Sequence, residues 1–217
     1  KVPESSLVVS KGHWRTRRAK TILTVGSDCN IGKMVTTLEI HKEFQRRGLK
    51  SDFVATGQTG IMLSGKGVAV DSAIGDYIAG RIEKEIDTSD AEGHDYILVE
   101  GQGSLLHQGY SSVTLGLMHG TMPDAMIFCH QPSRQINDYG TPITDLNRMI
   151  RFHEEVIGIF RLTKVAAIGI SSVGLTREQS EHETKRIEDV TGLPAVDAFR
   201  YGGGKLVDAL CKYFGVL

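Results

Sequence analysis

The apolar run KTILTV stops at Gly26, a short glycine-bounded loop follows, and from Lys33 onward the sequence takes on helical spacing. This junction constrains the fold more than any other stretch. A short β-branched run reads as a buried strand. After Lys33, apolar or small positions fall at Met34, Thr37/Leu38, His41 and Phe44/Gln45, which is one face of a helix over 33–47. Arg46 and Arg47 oppose the helix dipole, and Gly48 can supply a left-handed cap. Strand, glycine loop and helix in that order form the setting of a phosphate-binding loop.

The same alternation continues along the chain. Strands are expected at SDFVAT, GVAV, HDYILVEG, DAMIFC, KVAAIGI and PAVD, with a loop at TGQTG. Helices are expected over 72–86, 111–119, 144–158, a segment opened by a Thr176/Gln179 capping box and closed by Gly192-Leu193-Pro194, and 204–213. Continuous apolar strands alternating with helices predict an α/β fold, doubly wound, with a mostly parallel sheet and helices on both faces. In such folds ligands bind outside the carboxyl ends of the strands. Those ends hold residues 26–33, 56–60, Asp71, 100–107, 130–134, Ser171-Ser172 and Asp197.

The stretch TVGSDCNIGKMVTT approximates the pattern G-x-x-x-x-G-K-[ST], but Met34 stands where the hydroxyl belongs. Backbone amides at a helix start, with Lys33 beside them, suit a diphosphate. A thioether cannot replace the hydroxyl that holds Mg²⁺, which takes hard oxygen ligands. Thr36 and Thr37 lie further along the helix and should point elsewhere. The cofactor-binding set is therefore Gly26, Asp28, Cys29, Asn30, Ile31, Gly32, Lys33 and Met34, with weakened metal dependence and no resident metal. Cys29 is either a nucleophile or a small residue that the loop tolerates.

Glu100 closes an apolar strand, where it either caps backbone amides or serves chemistry by holding metal or taking a proton. His107 follows in a glycine-rich loop. His130 precedes Gln131-Pro132-Ser133-Arg134, and Arg134 can pair with a phosphate or a carboxylate.

Charge and composition narrow the remaining classes. The net charge is −1 and the only basic run, Arg15 to Lys20, reads as a solvated approach to the first strand, so no nucleic acid partner is expected. Three widely spaced cysteines without CxxC read as reduced, cytoplasmic thiols. No apolar run approaches 18 residues, so no membrane span is expected.

The segments VGSDCNIGKM, VATGQTGIML, DYILVEGQGSLLH, GLMHG and DAMIFCHQPSR together resemble the P-loop domain of bacterial D-glutamate N-acetyltransferases, over residues 20–217. They are similar, more distantly, to dethiobiotin synthetase. The resemblance implies a P-loop fold of the dethiobiotin synthetase type and a missing N-terminal Rossmann-like domain, with residues 1–19 as its lead-in. It implies acetyl transfer from acetyl-CoA to the amine of D-glutamate, an acidic amino acid. Residues 28–34 carry over as the phosphate loop, Glu100 and His107 as the catalytic strand-end loop, and His130 with Arg134 as a later substrate loop. Gln58 joins the substrate-binding set. Ser133 departs from the glycine that the motif has there. Two other functions stay open. One is an ATP/Mg-dependent ligase or kinase acting on a small carboxylate, with Glu100 and Asp71 as magnesium ligands. The other is a non-catalytic nucleotide-binding sensor. A homo-oligomer is expected in each case.

Overall fold

The computed structural model describes residues 7–216. Six parallel strands form one sheet, β1 (Lys20–Gly26), β2 (Ser51–Val54), β3 (Tyr96–Val99), β4 (Ala125–His130), β5 (Lys164–Ile170) and β6 (Ala195–Val196), in the order β2-β3-β1-β4-β5-β6. The connections run through α1 (Lys33–Arg46), α2 (Gln58–Ser64), α3 (Ile78–Ala91), α4 (Ser111–Thr121), α5 (Leu146–Gly158), α6 (Arg177–Thr191) and α7 (Ala198–Tyr201), and α8 (Gly204–Phe214) ends the chain.

The side-chain period of the strands splits the core in two. Leu23, Val25, Val99, Phe128 and Ile168 pack on one face against Ile82, Leu117, Met149 and Ile187 of α3 to α6. Ile22, Leu98, Ile127 and Ala167 pack on the other against Ile40, Phe44, Leu206 and Leu210 of α1 and α8. Burial on both faces explains why these strands read as unbroken apolar runs. The Thr176/Gln179 capping box opens α6 as expected, and Gly192 closes it at φ 70°.

Four local expectations are corrected. GVAV is not a strand. Gly67 makes an isolated bridge to Ala55, and residues 70–72 turn as a 3₁₀ helix. A Cβ at Gly67 would lie 2.3 Å from the Ala55 oxygen, so glycine is needed for this approach. The following helix starts at Ile78 rather than at 72, because Ala73 and Ile74 are extended and a second 3₁₀ turn, Gly75–Tyr77, intervenes. TGQTG is not all loop, since α2 begins at Gln58. Its glycines hid the helix from a propensity reading. The basic run is not simply solvated either. The Arg17 side chain is largely buried, with Nε donating to Asp87 at 2.9 Å and a terminal nitrogen donating to the Thr121 carbonyl at 3.0 Å. It ties the segment before β1 to α3 and α4.

Strand order turns at β1, which has β3 on one side and β4 on the other. The loop after β1 therefore opens where ligands gather in such sheets.

Candidate active site at the carboxyl ends of β1, β2 and β3

Five residues, 27–31, separate Gly26 from Gly32, so the loop is one residue longer than the G-x-x-x-x-G-K pattern. It passes through left-handed backbone at Asn30 (φ 53°) and Gly32 (φ 91°) before entering α1. The first helical bond runs from the Thr36 amide to the Gly32 carbonyl at 2.9 Å. The amides of Lys33, Met34 and Val35 consequently have no intrahelical partners and form the start of an anion cradle.

The cradle is braced from below. Asp28 is fully buried, accepts from the Cys29 amide at 2.8 Å and from Arg134 at 2.8 Å. Arg134 also donates to the Cys29 carbonyl at 2.9 Å. Ser27 meets the His130 Nδ1 at 2.9 Å. Lys33 is buried, with Nζ donating to the Asp28 carbonyl at 2.6 Å, and burial lowers its pKa. Gly101 must be glycine, because a Cβ there would lie 1.7 Å from the Thr24 carbonyl oxygen. Its amide donates to Thr24 Oγ1, which also meets Thr37 Oγ1 at 2.9 Å. Thr37 in turn donates to the Lys33 carbonyl, so its hydroxyl points away from the cradle, as the sequence suggested.

A cleft of about 990 Å³ opens beside the loop. Cys29 to Val35 line one part of it, with Thr56 to Thr59, Asp71, Glu100 to Gly103 and Tyr110. Gln58 and Met34 are both on its wall. Glu100 is buried at the end of β3. Its Oε2 accepts from the Thr56 and Gly57 amides at 2.8 and 3.1 Å, and Oε1 accepts from Gln102 at 3.2 Å. Burial nevertheless raises its pKa, more than the two amides and Lys33 lower it. The amide-capping role weighed for Glu100 is thus the one its oxygens perform. Cys29 is buried, and burial raises its pKa, so the thiol form is favoured.

Three expected site residues stand against the phosphate loop without lining this cleft. His107 does not line the cleft. It is buried behind it, stacked on Tyr110 at 4.9 Å and edge-on to Tyr139, and neither ring nitrogen has a hydrogen-bond partner. His130 faces a separate cleft of about 1040 Å³ between α5 and α6, and burial pushes its pKa down to about 4. Arg134, expected to hold a substrate carboxylate, instead spends its guanidinium on the loop. The reason is electrostatic, since Asp28 is a buried carboxylate within reach. Ser133, the departure from glycine, donates to the Val173 carbonyl at 2.7 Å and so tethers this loop to the end of β5. Gln102, within the 100–107 strand-end segment, and Tyr110, three residues beyond that segment, also line the cleft, though neither was given a role from the sequence.

No helix among the described residues is long and apolar enough to cross a membrane. A family profile described as "Domain of unknown function (DUF1611_C) P-loop domain" matches residues 8–207. A protein named D-glutamate N-acetyltransferase from Tritonibacter scottomollicae is 43% identical over 198 residues, 89% of this chain and 59% of its own length. A second of that name, from a Pseudoalteromonas species, is 37% identical over 213 residues, 96% of this chain and 63% of its own. The crystal structure of a DUF1611 family protein from Anabaena variabilis is 36% identical and superposes with a TM-score of 0.89, covering 94% of this chain and 60% of that one. The signal recognition particle 54 kDa protein of Aeropyrum pernix, at 12% identity and a TM-score of 0.54, shares the fold alone. This chain spans about three fifths of the length of the curated relatives. Profile, identity and superposition agree, and the chain belongs to the DUF1611 P-loop domain family.

Proposed function

We propose that the protein carrying this chain is an N-acetyltransferase that moves an acetyl group from acetyl-CoA to the amine of D-glutamate, and that the loop over 26–33 holds the coenzyme's diphosphate. The observation that carries the activity is the name shared by two relatives at 43% and 37% identity. The diphosphate assignment is supported by the unpartnered amides at the start of α1 and by the charge of Lys33. Met34, on the cleft wall, offers no hard oxygen to magnesium. Glu100, one of the two carboxylates that an ATP-dependent ligase would use for magnesium, already accepts from two backbone amides and Gln102. Three buried free thiols support a reducing, cytoplasmic setting.

The chain's own residues hold and orient in this reading. Lys33 and the α1 amides fix the coenzyme at its diphosphate, and Arg134 and Ser27 keep the loop in shape. The thioester supplies the activated acetyl group. Fixing both reactants converts a bimolecular encounter into a positioned one. The test is release of free CoA thiol by the full-length protein. Release that depends on D-glutamate and needs no added metal is expected. ADP formation that depends on Mg²⁺–ATP, without D-glutamate acetylation, would overturn the proposal.

A further inference from the structure

We infer that Asp71 is the group that meets the acceptor amine and takes its proton. This rests on the acetyl-transfer reading and names the residue that performs the proton transfer in it.

The titratable side chains lining the cleft are Cys29, Lys33, Asp71, Glu100 and Tyr110. Four of them are spoken for. Lys33 is buried and bound to the Asp28 carbonyl. Cys29 is buried in the loop itself. Both oxygens of Glu100 already accept hydrogen bonds. Tyr110 is a phenol whose ring lies on His107. Asp71 differs in each respect. It is exposed, and its Oδ2 alone is engaged, by Gln58 Nε2 at 2.7 Å. Oδ1 has no partner among the described residues.

Its position is fixed from two sides. The 3₁₀ turn that carries it is tied to the end of β2 by the Val70 amide, which donates to the Thr56 carbonyl at 3.0 Å. Gln58, in the first turn of α2, orients the carboxylate. The pair therefore presents a held oxygen to the cleft from the β2 side.

The shape of the coenzyme favours this side. A pantetheine arm separates the thioester from the diphosphate, so the reacting carbonyl must lie away from the 26–33 loop. Glu100 is too near that loop. The next residue, Gly101, is so close to Lys33 that a Cβ there would sit 3.0 Å from its Cδ. Asp71 stands on a different element. Its charge attracts the cationic amine of an amino acid.

The step balances as follows. The ammonium first gives one proton to solvent, the free amine nitrogen then bonds to the thioester carbonyl carbon, and the carbonyl electron pair moves to oxygen. The nitrogen becomes acidic as it does so, and Asp71 Oδ1 takes one of its protons. The carbonyl then re-forms, the carbon–sulfur bond breaks, and the departing sulfur receives that proton.

Asp71→Asn tests this in the full-length protein, since Asn can still accept from Gln58. Acid–base catalysis at this level predicts a fall in kcat of about a hundredfold or more. Acetyl-CoA affinity and thermal stability should stay unchanged. Added formate should restore part of the activity of Asp71→Ala. An Asp71→Asn protein with near wild-type kcat would overturn the assignment, and so would one that loses acetyl-CoA binding in step with activity. If the wild-type protein acetylates no D-glutamate, the acetyl-transfer reading itself falls. An active wild type beside an active Asp71→Asn variant removes only this inference.

Discussion

Met34 and its neighbours show how little of a side chain's role its type fixes. The residue type after Lys33 was legible in the sequence, and with it the lack of the hydroxyl that holds magnesium in nucleotide hydrolases. Arg134 was not legible in the same way. Its guanidinium could serve a ligand or the protein, and only the buried carboxylate of Asp28, 106 positions earlier, decides for the protein. His107 shows the same limit. A histidine in a glycine-rich loop invites a catalytic reading, yet its ring lies behind Tyr110 and neither nitrogen makes a hydrogen bond. Substituting Met34 checks the first point. Met34→Thr should leave the acetyl-CoA dissociation constant unchanged within error and should produce no Mg²⁺-dependent ATP turnover, as read by calorimetry and a phosphate-release assay. A variant that gains such turnover would return the loop to the nucleotide hydrolases.

At the scale of elements, β3 and the turn after β2 are joined through one carboxylate. Glu100 Oε2 holds the Thr56 and Gly57 amides, and the Thr56 hydroxyl donates to the Glu100 carbonyl at 2.8 Å. Gly60 packs so closely that a Cβ there would lie 2.4 Å from Oε2. Removing the carboxylate leaves two amides without their acceptor at the price of about 3 kcal/mol. Glu100→Ala should therefore lower unfolding stability by that order in a denaturant titration. Equal stability would mean that Glu100 is not the anchor described. The strands themselves were readable because burial on both faces makes them continuous apolar runs. The α2 segment and the 3₁₀ turns before α3 were not. Their backbone is set by tertiary bonds such as the Val70 amide to the Thr56 carbonyl, which leave no local periodicity to detect.

The whole molecule is a parallel sheet with a core on each face, and this much followed from the alternation of elements. The sheet order did not, since nothing local tells β3 to insert between β1 and β2. One global property follows from the interior. His153 is fully buried against Phe128, its Nε2 has no partner, and burial pushes its pKa down to about 4. The folded value lies below the unfolded value of about 6.5, so folding disfavours its proton. Its contribution is intact above pH 6.5 and is lost as pH falls towards 4, to a total of roughly 3 kcal/mol. Acid unfolding of wild type beside His153→Leu should show a shallower decline for the variant between those limits. Parallel curves would remove His153 as a cause. In the function proposed above, the phosphate loop holds a coenzyme diphosphate rather than splitting a triphosphate. Calorimetric titration of the full-length protein with acetyl-CoA, and separately with ATP and Mg²⁺, tests it most directly. Saturable acetyl-CoA binding that Lys33→Ala abolishes and that needs no metal is expected. Tight ATP–Mg²⁺ binding with no heat from acetyl-CoA would contradict it.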